Sequence, residues 1–366
     1  MTTDHPTPLA VAIPGTVLPF PSLARFRFRF ATQDSIRLPD YPGSAWRGLL
    51  GLGLRRTACV TRQPTCDGCL LVQQCVYSTL FETPARPEED YSALPHPFVL
   101  DIDPTAPRQL APGAPFALTV HLIGAAIAQA PYLIHALGLA GQLGFGRAHG
   151  RFDLVAVDCE DQPGNGTWVP VYAAQDGVYQ PPAPAPLVAP PAPEVLHLRL
   201  VTPLRIKRDG RFLGARDLTA ADLVQTLYRR LRLLARLQGG DPDGFDLHQA
   251  ARAAAGLRLQ PQGLTWHEWT RYSSRQDSLM QFGGLIGGLT LDGPALPDLW
   301  PALWLGQWTH LGKGTAFGLG GYRVVSGSAC REVSVGEIER ARNQTQTPGK
   351  TMTADPPPGS GLWSQR

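Results

Sequence analysis

Lysine is nearly absent from this chain of 366 residues: Lys207, Lys313 and Lys350 are the only ones, and arginine supplies the rest of 33 basic side chains. Cysteine occurs six times and methionine three times. No run approaches the roughly 18 uninterrupted apolar residues that a membrane helix needs, so no membrane partner is expected. The opening MTTDHPTPLA carries Asp4 and no basic stretch, so it does not read as a secretory leader. Charged residues are 17% of the chain and hydrophobic ones 43%, enough for a sizeable core. A soluble, cytoplasmic protein of two domains is the expectation.

What charge there is divides unevenly. Residues 1–194 carry 12 basic and 16 acidic side chains, whereas 195–330 carry 16 and 10. A basic second half is a modest pointer to a polyanionic partner. Arginine suits planar contacts with phosphate, although a GC-rich genome would also encode it.

The alternation Arg25-Phe26-Arg27-Phe28-Arg29-Phe30 predicts a half-buried strand, Phe inward and Arg outward. Its arginine face could hold a phosphate backbone or simply be solvated. A helix is expected around Trp46-Arg47-Gly48, then a cysteine-bearing insertion, strands around 97–101 and 116–123, an apolar helix over 131–143 and a strand over 151–157. The Pro-Ala stretch 179–194 reads as a semi-rigid linker. Beyond it the order repeats: a strand over 195–204, and a helix opened by a Thr219/Asp222 capping box and closed by Gly239-Gly240. Strands near 265–272 and 281–291, a short helix over 301–308 and a strand over 322–325 complete it.

The expected fold class is therefore α+β: two tandem ferredoxin-like β-α-β-β-α-β domains with a four-cysteine insertion in the first. Boundaries are set at 18–160 for the first domain, with the insertion at 57–82. A Pro-rich linker at 161–194, a second domain at 195–326 and a partly disordered tail at 327–366 follow.

Two constellations carry chemistry. Cys59, Cys66, Cys69 and Cys75 fall within 17 residues with a C-x-x-C at the centre, the spacing of a structural zinc site. An iron–sulfur cluster or unligated thiols are the alternatives. A closed four-sulfur shell leaves no open position, so no catalytic metal is expected. The second constellation is the glycine-rich run His310–Gly321, whose amides could approach an anion with Lys313 adding charge. A nucleotide-binding P-loop is disfavoured because G-x-x-x-x-G-K-[ST] is not satisfied and a strand follows.

Gly312-Lys313-Gly314-Thr315-Ala316-Phe317-Gly318-Leu319-Gly320 resembles the C-terminal glycine-rich loop of the repeat-processing CRISPR endoribonucleases, the sixth Cas family of the RAMP superfamily. The blocks Trp269–Gln276 and Met280–Gly287 are similar to the same family. So are Trp46-Arg47-Gly48, the four cysteines and Tyr77–Glu82. The resemblance implies metal-independent cleavage of CRISPR precursor RNA within its repeats. The ribose 2′-hydroxyl attacks, leaving a 2′,3′-cyclic phosphate and a 5′-hydroxyl, and the mature crRNA is retained. Repeat RNA is the implied partner, a CRISPR effector complex a further one.

Many members of that family carry a general-base histidine on or beside the first helix, and Ser44–Arg56 here holds none. His310, which opens the glycine-rich loop, is the first candidate for catalysis, with Arg275 and Tyr272 beside it; His149 is second. RNA contacts are expected from Arg47, Arg147, Arg271, Gly312, Lys313, Gly314, Thr315, Gly318 and Gly320, with Trp46, Tyr272 and Phe317 available for stacking. His96, lying between prolines, is set aside. A non-catalytic RAMP subunit that binds crRNA in an effector complex is the alternative.

Overall fold

The computed structural model describes residues 16–84, 94–146, 148–183, 185–268, 270–273, 278–281 and 283–327; at 270–273 and 278–281 only the backbone is described. The tail expected to be partly disordered lies outside these residues, apart from Gly327.

The first lobe is built on β1 (Leu23–Thr32), α1 (Gly43–Ala58), β2 (Phe98–Asp101), β3 (Pro115–Ile123), α2 (Ala130–Leu143), β4 (Phe152–Glu160) and β5 (Trp168–Ala173). Its strands lie antiparallel in the order β2-β3-β1-β4-β5. The first four strands thus take the spatial order 2-3-1-4, that of a β-α-β-β-α-β unit. The alternation in β1 works as expected: Phe26, Phe28 and Phe30 are buried, and Phe30 stacks on Trp46 of α1 at 5.5 Å. Trp46 is itself 3% exposed, wedged among Phe30, Phe145 and Phe152, so it cannot stack on a base.

The other face of β1 is partly solvated, with Arg29 exposed and Arg25 largely buried, and its arginines are paired with carboxylates. Arg25 pairs with Glu160, while Arg27 and Arg29 meet Asp158. These carboxylates stand on β4, so the strand pairing that buries the Phe side chains also neutralises the arginines.

The sheet runs past the expected boundary at 160, because β5 pairs with β4 as its edge strand. The proline-rich stretch is not a free linker either: Val188–Ala189 pairs with Thr16–Val17, and Leu187 is buried in the core of the second lobe.

The second lobe repeats the design with β6 (Val195–Leu204), a small hairpin β7 (Lys207–Arg208) and β8 (Arg211–Phe212), α3 (Ala220–Gln238), α4 (Leu247–Ala254) and β9 (Arg258–His267). A second hairpin, β10 (Thr270–Ser273) and β11 (Ser278–Gln281), precedes β12 (Gly284–Asp292), α5 (Leu296–Thr309) and β13 (Tyr322–Val325). The sheet order is β9-β12-β6-β13, again 2-3-1-4. The strand expected over 265–272 is split, since β9 ends at His267 and the chain turns into the β10–β11 hairpin.

Thr219 and Asp222 form the full capping box at the start of α3, and Gly239 closes it with φ 85°. Leu223, Leu227, Leu231 and Leu234 present one buried stripe to the sheet. Such a cap stabilises the helix by about 1 kcal/mol, a small amount beside the burial of that stripe. Among the described residues no helix is long and apolar enough to cross a membrane.

Candidate active site

The glycine-rich loop is the joint between the lobes, and this changes what its glycines do. Leu311, Lys313, Phe317, Gly318, Leu319 and Gly320 all donate their backbone N–H groups to carbonyls within the protein, so those amides are not presented to an anion. A Cβ on Gly320 would lie 1.7 Å from the Leu311 carbonyl oxygen. One on Gly318 would lie 2.6 Å from that of Leu100 in β2. Glycine is required by close approach of backbone to backbone, with φ of 71° and 84° at the two positions. Thr315 is also buried; Lys313 remains exposed and Gly312 and Gly314 half-buried. Tyr41 donates its hydroxyl to the Phe317 carbonyl at 2.7 Å, fastening the loop to the entry of α1.

His310 is the C-cap of α5, held at φ 57°, and is completely buried. Its Nδ1–H donates to the Leu319 carbonyl at 3.2 Å and its Nε2 lies 4.0 Å from Asp101. Burial pushes its pKa down to about 3. Here His310 locks the lobes together and does not face a substrate, which corrects the expectation drawn from its place in the sequence.

Around it is a buried polar cluster on the outer face of the first sheet. His121 on β3 donates Nδ1–H to the Trp308 carbonyl at 2.7 Å, its Nε2 lies 3.1 Å from Arg25 Nε and 3.2 Å from Asp101, and burial holds its pKa below the ordinary value. Burial opposes ionisation of Asp101, but Arg323, His121 and His310 together outweigh it and hold the carboxyl well below the usual range.

A second cluster lies where α1, the loop and the approach to β2 converge. Arg47 is sandwiched between Phe81 and Phe317, at 4.1 and 4.7 Å from the two rings. Its Nη2 reaches the Phe81 carbonyl at 3.4 Å and His96 Nε2 at 3.3 Å. The other ring nitrogen of His96 lies 2.8 Å from Thr83 Oγ1, and the ring stacks on Phe98.

Thr83 caps the turn Ser78–Glu82 with φ 47° and ψ 65°, a left-handed conformation costly for a β-branched residue. Arg230 of α3 contributes from the second lobe. Its Nε donates to the Thr309 carbonyl at 2.8 Å, while its buried Nη2 has no partner. Burial, then the charges of Arg47 and Arg230, push the His96 imidazole down to about 3. One guanidinium and a neutral imidazole therefore meet here, with Phe317 of the second lobe closing over Arg47. Of the residues singled out in the sequence only Arg47 and Phe317 are in it. Nothing in the Pro95-His96-Pro97 triplet signals this, because its partner stands 49 residues earlier.

The other expected residues scatter. Arg147 and Arg275 lie outside the described residues, and for Arg271 and Tyr272 only the backbone pairing of β10 with β11 is given. His149 is exposed on its turn. A patch missed in the sequence surrounds the β7–β8 hairpin: Arg205 and Lys207 lie 4.4 and 4.7 Å over the Phe212 ring, which leans on exposed Trp266 at 6.1 Å.

Cys59, Cys66, Cys69 and Cys75 line one cavity of about 10 Å³, and Thr61 Oγ1 lies 3.9 Å from Cys59 Sγ and 3.6 Å from Cys69 Sγ. Among the described residues no three His, Cys, Asp or Glu side chains are arranged to hold a metal ion. The donor set suits zinc; the side-chain geometry is not that of a formed site.

Comparison with known proteins divides at the same boundary as the lobes. Residues 18–184 match the family model of the AF_1859 N-terminal domain, and residues 198–322 match that of CRISPR-associated endoribonuclease Cas6. An uncharacterised protein of Archaeoglobus fulgidus is 27% identical over 120 residues; the match spans 33% of this chain and 40% of that relative. A Cas6 product complex is 17% identical with TM-score 0.48, over 83% of this chain and 99% of that one. Thermus thermophilus Cas6 is 14% identical with TM-score 0.46, over 83% and 98%.

Proposed function

We propose that this chain, a Cas6-type CRISPR processing protein by its Cas6 family domain at residues 198–322, cleaves CRISPR precursor RNA within its repeats and keeps the mature product. The observation that supports this most directly is the contact of Arg47 with His96, closed by Phe317 of the second lobe. The 2′-hydroxyl upstream of the scissile phosphate attacks phosphorus, the P–O5′ bond breaks, and the ends are a 2′,3′-cyclic phosphate and a 5′-hydroxyl. Arg47 supplies planar donors for the phosphorane, whose developing charge is stabilised most by donors already in place. Its guanidinium is stacked between two aromatic rings, which limits the freedom lost on binding.

RNA would enter along the basic second lobe. Lys207 and Arg211 of the β7–β8 hairpin are exposed to reach phosphates, and Trp266 offers a face for an unpaired base. Protein cations suffice for this chemistry, so cleavage proceeds without a metal at the phosphate.

Zinc, held by Cys59, Cys66, Cys69 and Cys75, has a structural part in this reading. It would staple an insertion that has almost no core of its own, and four thiolates leave it no open position.

The test is incubation of the purified protein with its cognate repeat RNA, with and without EDTA. Cleavage that survives the chelator and leaves a cyclic phosphate supports the reading. Tight binding without cleavage would instead make the chain a crRNA-carrying RAMP subunit, as the absence of a histidine from α1 suggests.

A further inference from the structure

Helix α1 offers no base, and the buried His310 offers none to a substrate, yet the proposed cleavage requires one for the 2′-hydroxyl. We propose that His96 is that base and that Thr83 is the positioning residue that fixes its tautomer; this rests on the endoribonuclease reading above.

The hydrogen bonds determine the proton's place. A guanidinium only donates, so Arg47 Nη2 at 3.3 Å makes His96 Nε2 the acceptor. Nδ1 therefore carries the hydrogen and donates to Thr83 Oγ1 at 2.8 Å. Thr83 in turn sends its own hydrogen back to the Thr79 carbonyl at 3.3 Å or that of Leu80 at 3.4 Å. Every proton in this chain runs away from Nε2, leaving a lone pair there. The strained φ of Thr83 is what brings its hydroxyl round to the ring. Stacking on Phe98 at 5.7 Å holds the imidazole plane.

In the RNA-free protein Arg47 covers that lone pair. A phosphate is a stronger acceptor for a guanidinium than an imidazole is, so binding of the scissile phosphate draws Arg47 off His96. Nε2 then takes the proton of the 2′-hydroxyl as the O2′–P bond forms and the P–O5′ bond breaks. The departing 5′ oxygen takes a proton from water, and His96 returns its own to solvent. Substrate binding thus uncovers the base at the moment the phosphate is in place.

The experiment is single-turnover cleavage of the cognate repeat RNA beside equilibrium binding of the same RNA carrying a 2′-deoxy substitution at the cleavage site. His96→Ala should slow cleavage by about 100-fold or more, the usual worth of a positioned base. Its Kd should stay within about threefold, and added imidazole should restore part of the rate. His96→Gln, which can still accept from Arg47, should fold and bind normally and be equally slow. Thr83→Val should lose about tenfold in rate with Kd unchanged, and Thr83→Ser should restore it. Cleavage by His96→Ala and His96→Gln within threefold of the wild-type rate would overturn the assignment and leave the endoribonuclease reading standing. A wild-type protein that binds the repeat and never cuts it would overturn both.

Discussion

Arg323 Nη2, on the last strand of the second lobe, lies 2.7 Å from both carboxylate oxygens of Asp101, on the first sheet of the other lobe. The carboxylate is 9% exposed and the guanidinium 30%, so this pair is largely desolvated. Removing Arg323 leaves the buried Asp101 carboxylate with only the longer contacts to Arg25 at 3.4 Å and His121 at 3.2 Å. Asp101→Asn or Arg323→Ala should therefore destabilise the chain by about 3–5 kcal/mol in urea unfolding. A loss below about 1 kcal/mol for both would show that the seam does not depend on the pair.

The same seam should respond to acid. His310 and His121 are buried and neutral, and burial lowers both pKa values, that of His310 to about 3. Folded pKa values lie below the unfolded value near 6.5, so between roughly pH 6.5 and 3 the unfolded chain binds more protons. Stability is full above pH 6.5 and falls as the pH drops, by at most about 1.4 kcal/mol per pH unit for each histidine. Asp101, also depressed, adds to the loss only below about pH 4. Thermal melts from pH 7.5 to 5 should show a falling Tm, and His310→Gln should flatten the slope. An unchanged slope would mean that the imidazole already carries a proton in the folded state.

Arg47 should matter through its shape as well as its charge. Arg47→Ala should reduce the cleavage rate by about 100- to 1,000-fold, comparable with removal of one preorganised donor. Arg47→Lys should recover little, because an ammonium cannot fill the slot between Phe81 and Phe317 or donate in a plane. Full recovery by lysine would reduce the role to a point charge.

The β7–β8 hairpin should contribute binding without chemistry. Trp266→Ala should weaken repeat binding by about 1–3 kcal/mol if a base stacks on it. Lys207→Ala with Arg211→Ala should lower the slope of log Kd against log salt by about two. Single-turnover rates at saturating protein should not move. A fall in rate without a fall in affinity would assign the hairpin to the cleavage step.

Zinc can be counted directly. Protein purified without added metal should hold about one equivalent by elemental analysis. Cys66→Ser or Cys69→Ser should lose it and make the 57–82 segment protease-sensitive, while cleavage by the metal-loaded wild type should survive brief EDTA. Metal-free wild-type protein of unaltered stability would remove zinc from the account.

Local pattern carried a good deal of this molecule. Alternation of Arg and Phe announced β1, the Thr219/Asp222 box and Gly239 marked the ends of α3, and element order foretold both sheets, because each depends on neighbours within a few residues. Pro301 inside α5 and the extra edge strand β5 were not legible, since packing against the rest of the lobe decides whether such segments join it.

The sequence by itself determined two repeated α+β units, an arginine-rich second half and the glycine-rich run. The tertiary structure alone decided what those glycines and histidines are for. The run proved to be a place where backbones touch, so its histidine was sealed into the seam. His96, unmarked between prolines, was brought to Arg47 by a helix 49 residues away. Local patterns are set by side-chain period and backbone geometry, whereas a site is set by which distant surfaces exclude water together, and only the packed lobes fix that.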